Sequence, residues 1–380
     1  MGYSICYYKN GTTYQIYEAG DPDLVIAYGK YHREKRSVGT LTFKVLDNHP
    51  YFDIFEKFRG IVYLNFNSTR LFAARIFDVK TDIYNIKTVE CEGLIAYLND
   101  SVIQPYVFNS RNRIFPNHTG SYGTTVRDFI IDLLDAHNAQ VNDSQHVFLA
   151  DNASSEILAT TILTQNSGYS NAWNELTDKV LQNYGGDVEL DLTESETTLK
   201  FIDGNVTNIV QKIRYGINLK TLDRYYEEGF ATAVYPISTF TDDNGNSQTI
   251  NVTSVNRSRY TVVESVSAAY YGRINKLLEI KGATTPTDLM NIAVKRLLEM
   301  STPRIKTKLT ALDMYAIDDS YVPLKTGQFI RVVSEPNGVD STAEVTGFDA
   351  DLLDPNNSTY ILSGEFPTVS KLLYRKSARR

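Results

Sequence analysis

The chain has 380 residues, 42% hydrophobic and 22% charged, which is too long for one ordinary core and excludes collagen-like, low-complexity and disordered classes. Its 38 Lys and Arg against 45 Asp and Glu give a formal charge of −7, which disfavours a globally basic nucleic-acid binder. Only Cys6 and Cys91 are present, too few for a disulfide scaffold or an all-cysteine zinc site, and no apolar run approaches the ~18 residues of a membrane helix.

The first hundred residues read as strands. Ser4 to Tyr8, Thr13 to Tyr17 and Leu24 to Tyr28 are Tyr-, Ile- and Val-rich runs separated by the turn signals Asn10-Gly11 and Gly20-Asp21-Pro22. Thr40 to Val45 alternates polar and apolar residues, as a half-buried strand does. Gly60 to Phe66 and Arg70 to Val79 flank a hairpin at Asn67-Ser68-Thr69, and Ile83 to Cys91 adds a strand, with a short helix expected at Pro50 to Phe58. The 26 tyrosines suit pleated surfaces and interfaces alike.

Beyond residue 105 helices enter. Thr125-Val126-Arg127-Asp128 has capping-box spacing, followed by Val126, Phe129, Ile130, Leu133 and Leu134 on one face. A second helix follows Ser170, with Trp173, Leu176 and Tyr184 inward and Gly185-Gly186 ending it. Val188 to Leu192 and Thr198 to Ile202 alternate as strands, and Phe230 to Ile237 opens another strand region. A third helix starts at Thr285, with Pro286 at its first position and Asp288 completing the cap. Past Pro303 a second β block runs through Ile305 to Leu312, Gln328 to Val333, Thr342 to Phe348 and Thr359 to Ser363.

Catalytic constellations fail one after another. There is no P-loop, no dinucleotide-binding glycine motif, no His-Glu-x-x-His and no Gly-x-Ser-x-Gly elbow. His118, His137 and His146 lack metal-ligand spacing. Cys91 sits between Glu90 and Glu92, whose charges oppose a thiolate. Asp242-Asp243-Asn244-Gly245 is a turn that lacks two oxygens of a calcium loop, and the acidic pairs Glu227-Glu228 and Asp318-Asp319 read as solvated faces. The basic end Arg375 to Arg380 reads as a solvated tail. Neither a cofactor nor a metal is expected.

Particular blocks carry a family resemblance. Gly39 to Val45 with Phe43, then His49-Pro50-Tyr51, lead to Val89-Glu90-Cys91-Glu92-Gly93-Leu94 and on to Leu98-Asn99-Asp100. Near the other end stand Asp349 to Asn357, with Asp354-Pro355, and Tyr360 to Gly364. Together they resemble the tail-associated hub proteins of siphophages and prophages, the prophage tail endopeptidase family, similar to the baseplate hub of T4-like phages.

The resemblance implies a β-rich, multidomain α+β fold with two tube-type β-barrel domains and two α+β domains. The barrels would be residues 1–104 and the discontinuous 211–240 with 301–366; the α+β domains would be 105–210 and the inserted 241–300, with 367–380 as a basic tail. It implies a structural role for Phe43, His49, Pro50, Cys91, Glu92, Gly93, Leu94, Leu98, Asp100, Asp354, Pro355 and Gly364. It also implies a homotrimeric, pseudo-sixfold ring at the distal end of the virion tail, built in the host cytoplasm and without a membrane anchor. The ring would contact the distal tail protein, the tape measure protein or tail tube and receptor-binding proteins, and let phage DNA pass without sequence-specific binding. The family's wall-cutting domains lie after the hub, where this chain stops, so a structural rather than enzymatic role is expected; the alternative is a cell-wall-degrading tail endopeptidase or glycosidase.

Overall fold

The computed structural model describes residues 2–67, 69–108, 114, 124–151, 155–162, 165–192, 197–203, 209–226, 229–241, 246–256, 260–301, 305–318 and 320–363. Two compact units emerge: Met1–Leu94 with Asn205–Tyr226 and Ile305–Arg380, and Ile95–Gly204 with Glu227–Arg304.

In chain order, the first unit begins with β1 (Tyr3–Lys9), β2 (Thr12–Glu18), β3 (Tyr28–Glu34), β4 (Thr40–Val45), β5 (Ile61–Phe66), β6 (Thr69–Thr81) and β7 (Lys87–Gly93). The second unit holds β8 (Val102–Ile103), β9 (Tyr106–Phe108), α1 (Val126–Asn138), β10 (Phe148–Leu149), α2 (Glu156–Ala159), β11 (Gln165–Ser167), β12 (Ser170–Asn171), α3 (Ala172–Leu176), β13 (Asp187–Leu192) and β14 (Thr197–Ile202). The chain returns to the first unit with β15 (Ile209–Arg214) and β16 (Leu219–Tyr226). It re-enters the second with β17 (Ala233–Thr241), β18 (Ser247–Asn251), β19 (Val263–Glu264), α4 (Ala268–Tyr271), β20 (Asn275–Glu279) and α5 (Pro286–Met300). It closes the first with β21 (Ile305–Ala311), β22 (Phe329–Ser334), β23 (Val339–Asp351) and β24 (Thr359–Ser363).

Several local signals act as expected. Thr125 caps α1 in a reciprocal box with Asp128, and Thr285 with Pro286 starts α5, because each side chain takes an otherwise orphaned backbone N–H. The second helix departs from its expectation: α3 ends at Leu176 and continues as a π-turn over Thr177–Leu181. The expected helix at Pro50–Phe58 is instead a run of turns, in which His49 and Tyr51 carbonyls take the N–H groups of Phe52 and Ile54. The expected strand at Leu24–Tyr28 begins only at Tyr28, and Ile83 and Tyr84 belong to a turn rather than to β7.

In the second unit, α5 lays Leu289, Ile292, Ala293 and Leu297 onto the sheet of β17, β18, β19 and β20, against Val234, Val252, Val263 and Leu278. Separately, β13 pairs with β14, which carries β10 on its other side.

The first unit carries a 13-stranded sheet in the order β16-β21-β24-β23-β3-β4-β7-β6-β5-β1-β2, with β22 on β23 and β15 on β22. The two β blocks read in the sequence are therefore one hydrogen-bonded sheet, joined where Gly347–Asp351 of β23 pair antiparallel with Lys30–Glu34 of β3. One core runs through both, containing Phe43, Leu64, Ile76 and Cys91 with Leu309, Val332, Val345 and Leu362. Tyr31 bridges them, its ring 4.6 Å from Phe72 and 5.1 Å from Phe348. Each such large side chain contributes about 1.5–3 kcal/mol on burial.

The two blocks repeat one plan. Strands β3, β4, β7, β6 and β5 lie side by side as β16, β21, β24, β23 and β22 do, every neighbouring pair antiparallel. The fourth strand of each, β6 or β23, is 13 residues long. On its side toward β7 or β24 each carries one bulge: Ile76 faces Cys91 and Asp78 faces Glu90, while Val345 faces Leu362 and Gly347 faces Ile361. At that bulge a residue with positive φ donates its N–H back to the strand, Phe58 (φ 56°) to Ile76 O and Gly327 (φ 84°) to Val345 O. This alignment sets Cys91 on Leu362 and Thr88-x-x-x-x-Gly93 on Thr359-x-x-x-x-Gly364.

Candidate assembly surface

Most of the described family-motif residues lie in the first unit. Phe43 is fully buried in β4, its ring centroid 5.6 Å from that of Phe55. His49 is buried; its Nε2–H donates to Ile16 O at 2.8 Å and its Nδ1 accepts from Tyr51 N at 3.1 Å, so the neutral ring ties the turns after β4 to β2. Pro50 is exposed in that turn. Cys91 is fully buried in β7, and Glu92 accepts from Arg75 Nε at 2.8 Å. Gly93 leaves no room for a side chain, since a Cβ would stand 2.1 Å from Val38 O. Leu94 is buried, and Asp354 caps the turn that Pro355 begins by accepting from Asn356 N at 3.1 Å. In the second unit Leu98 is fully buried and Asp100 accepts from Gln145 at 2.8 Å. Gly364 lies outside the described residues.

The chemistry available for catalysis is meagre. Burial, more than Glu90, pushes the Cys91 thiol up, and burial with Glu18 does the same at Cys6, so neither is poised as a thiolate. His137 is buried between Ser101 Oγ at 2.9 Å and Gln145 O at 3.3 Å, and desolvation holds its pKa down; His146 packs edge-on against Phe148. Both are structural, and His118 lies outside the described residues. So do Glu227-Glu228, Asp319, Asp242-Asn244-Gly245 and the basic tail; Asp318 accepts from Ser320 N. Among the described residues no group of three His, Cys, Asp or Glu could hold a metal ion, and no helix is long and apolar enough to cross a membrane.

What the first unit offers instead is open backbone. The outer sides of β2 and β16 have no strand neighbour among the described residues. Strand β6 is covered by β5 only as far as Ala74, while β7 follows its other side to Thr81; past Ile76, whose carbonyl takes the Phe58 N–H, Asp78–Thr81 have no further strand neighbour among the described residues. At the end of that strand Asp82 Oδ1 accepts the N–H groups of Tyr84 and Ile86, fixing a turn that holds Ile83 and Tyr84 out in solvent at 90% and 78% exposure. Open edges and exposed large apolar residues are assembly features in a folded protein. Sequence reading missed them because an edge is defined by the strand that is not there; the repeated Thr-x-x-x-x-Gly ends of β7 and β24 were the available signal for the repeat.

The sequence matches the model of the prophage endopeptidase tail family over residues 164–373. The motif blocks Asp349 to Asn357 and Tyr360 to Gly364 fall inside that span, and Phe43 to Asp100 fall before it. No curated protein matches the sequence. Among solved structures, the chain is similar to a tail protein from Neisseria meningitidis MC58, with TM-score 0.61 and 11% identity over 96% of this chain and 97% of that one. It is similar to the 43 kDa tail protein of prophage MuSo2 from Shewanella oneidensis, with TM-score 0.56 and 12% identity over 95% and 97%. It also resembles prophage tail protein gp18 from Listeria monocytogenes EGD-e, with TM-score 0.51 and 11% identity over 100% and 99%. These likenesses concern the fold, and the family match covers just over half of the sequence: the chain belongs to the prophage endopeptidase tail family.

Proposed function

We propose that the chain is the structural hub of a phage tail tip. Three copies form a ring with pseudo-sixfold symmetry that caps or continues the tail tube and takes part in host attachment and DNA ejection. The observation that carries this reading is the repeat in the first unit: two blocks of one strand plan, ending in open edges, give six similar blocks per three chains. In this reading each block is one tube domain, and the second unit contributes the two α+β domains. The distal tail protein ring, the tape measure protein or tail tube and receptor-binding proteins are its partners, and the distal end of the tail is its place.

A structural rather than lytic role fits the two thiols held protonated and the structural histidines. The formal charge of −7 suits the wall of a passage for a polyanion, which DNA crosses without adhering. Sedimentation equilibrium of the purified protein tests the reading: a species three times the 42.9 kDa chain is expected, and a monomer at every concentration counts against it. Turbidity assays on cell walls test the lytic alternative; clearing by the purified chain would overturn the structural role.

A further inference from the structure

The repeat places a template for the contact between copies inside the chain itself. In the second block, one side of β23 is shared end to end: β22 takes Val339–Glu344, and β3 of the first block takes Gly347–Asp351. In the first block, β5 takes the corresponding side of β6 up to Ala74, and past the Phe58–Ile76 bond Asp78–Thr81 have no strand neighbour there among the described residues. The strand that corresponds to β3 in the second block is β16, and among the described residues its outer side has no strand neighbour either. We propose, resting on the trimeric reading above, that β16 of one copy pairs antiparallel with Asp78–Thr81 of β6 of the next and with Asp82 just beyond it, in the register of the internal β3–β23 seam.

That register follows from the alignment of the bulges and ladders. Gly347 corresponds to Asp78, because each follows its bulge. Lys30 corresponds to Asp223, because each lies opposite the residue that pairs with Glu90 or Ile361. Phe348↔Arg33, Asp349↔His32, Ala350↔Tyr31 and Asp351↔Lys30 inside the chain therefore become Val79↔Tyr226, Lys80↔Tyr225, Thr81↔Arg224 and Asp82↔Asp223 between copies.

The internal seam itself points to a second copy as the occupant, since the chain already pairs one block with the other in this way. The internal seam is crossed by Asp349, whose Oδ1 meets His32 Nδ1 at 2.7 Å and Lys30 Nζ at 3.6 Å. Transposed to the open edges, Asp349 becomes Lys80 and Lys30 becomes Asp223, so that pair recurs diagonally across the ladder with its signs exchanged, while Asp82 takes the place of Asp351 directly opposite Asp223. Lys80 is 61% exposed beside Asp78 and Glu90, and Asp223 is exposed. The competing account of Lys80 is a lysine that guards an edge against any pairing; it gives Asp223 no role. Each junction leaves another β6 edge and another β16 edge exposed, a head-to-tail contact that ends only by closing a ring.

The test combines charge exchange with register-specific linking, read on the full chain by sedimentation equilibrium and non-reducing electrophoresis. Lys80→Glu is expected to weaken each junction about fivefold, or assembly over three junctions about a hundredfold, and Asp223→Lys added to it, which faces both the new carboxylate and Asp82, to restore it. In a Cys6→Ser background, Thr81→Cys with Arg224→Cys is expected to give a disulfide-linked series ending at three chains, whereas Thr81→Cys with Lys220→Cys, four positions off register, gives none. A trimer that is indifferent to Lys80→Glu and links equally off register overturns this junction while leaving the trimeric hub standing. A wild-type chain that never exceeds a monomer overturns the hub reading and the junction with it.

Discussion

Replacing Gly93 with Ala tests the packing at the end of β7 directly. Gly93 does not need a positive φ, so alanine is conformationally permitted and only space opposes it. The new methyl would lie 2.1 Å from Val38 O and 2.8 Å from the Phe72 ring, and the first of these is backbone that cannot rotate away. Overpacking of this kind costs about 1–3 kcal/mol. Shifting the strand also loosens the hydrogen bond from Gly93 N to Gly39 O, 3.1 Å long, at about 1 kcal/mol more. The sum, about 2–4 kcal/mol, lowers the melting temperature of a unit of this size by about 10 °C. Scanning calorimetry reads it, with Gly11→Ala as the comparison: Gly11 has φ 80° and open space around it, so only left-handed strain of about 1 kcal/mol applies. Equal melting of Gly93→Ala and wild type would refute the reasoning, as would a larger loss at Gly11.

Thr125→Ala removes the α1 cap and costs about 1 kcal/mol, measured by urea denaturation, with Thr125→Ser retaining most of it. His49→Ala leaves the buried Ile16 carbonyl without its donor and costs about 1–3 kcal/mol by the same assay. His137 has its pKa depressed by burial, so the stability it confers is present at neutral pH and lost as pH falls below the ordinary histidine range; His137→Gln flattens that dependence between about pH 7 and 5. Tyr3, Tyr7 (about 12), Tyr360 and Cys91 have pKa values raised by burial, so their contribution is complete below the ordinary thiol and phenol ranges. Stability therefore falls as pH rises beyond about 9 to 10, and a urea midpoint unchanged at alkaline pH would contradict it.

What the sequence made legible was local. Thr125 with Asp128, and Thr285 with Pro286, mark helix starts because a cap and its target lie within one turn. Alternation in Thr40 to Val45 marks a strand because one face is core: Leu41, Phe43 and Val45 are all fully buried. Legibility ended where long-range pairing decides. Nothing near Tyr31 announces that Ala350 lies opposite it, and the Pro50–Phe58 segment is held in turns by His49, whose partner is the distant Ile16 carbonyl. The repeat was implied by the family resemblance and could not be aligned residue by residue, because blocks with one strand plan share few residue types, Thr88 and Gly93 matching Thr359 and Gly364 while Cys91 stands where the other has Leu362. The candidate surface was least legible of all, since nothing in the sequence around Lys80 or Asp223 marks a strand edge and only the sheet order sets them there.

Electron cryo-microscopy of the tail tip carrying this protein tests the central claim most directly. The hub reading predicts three copies in one ring, with six similar β blocks about the axis and β16 of each copy against β6 of the next. A single copy, a ring of another number, or three copies meeting through other surfaces with these edges left bare would contradict it.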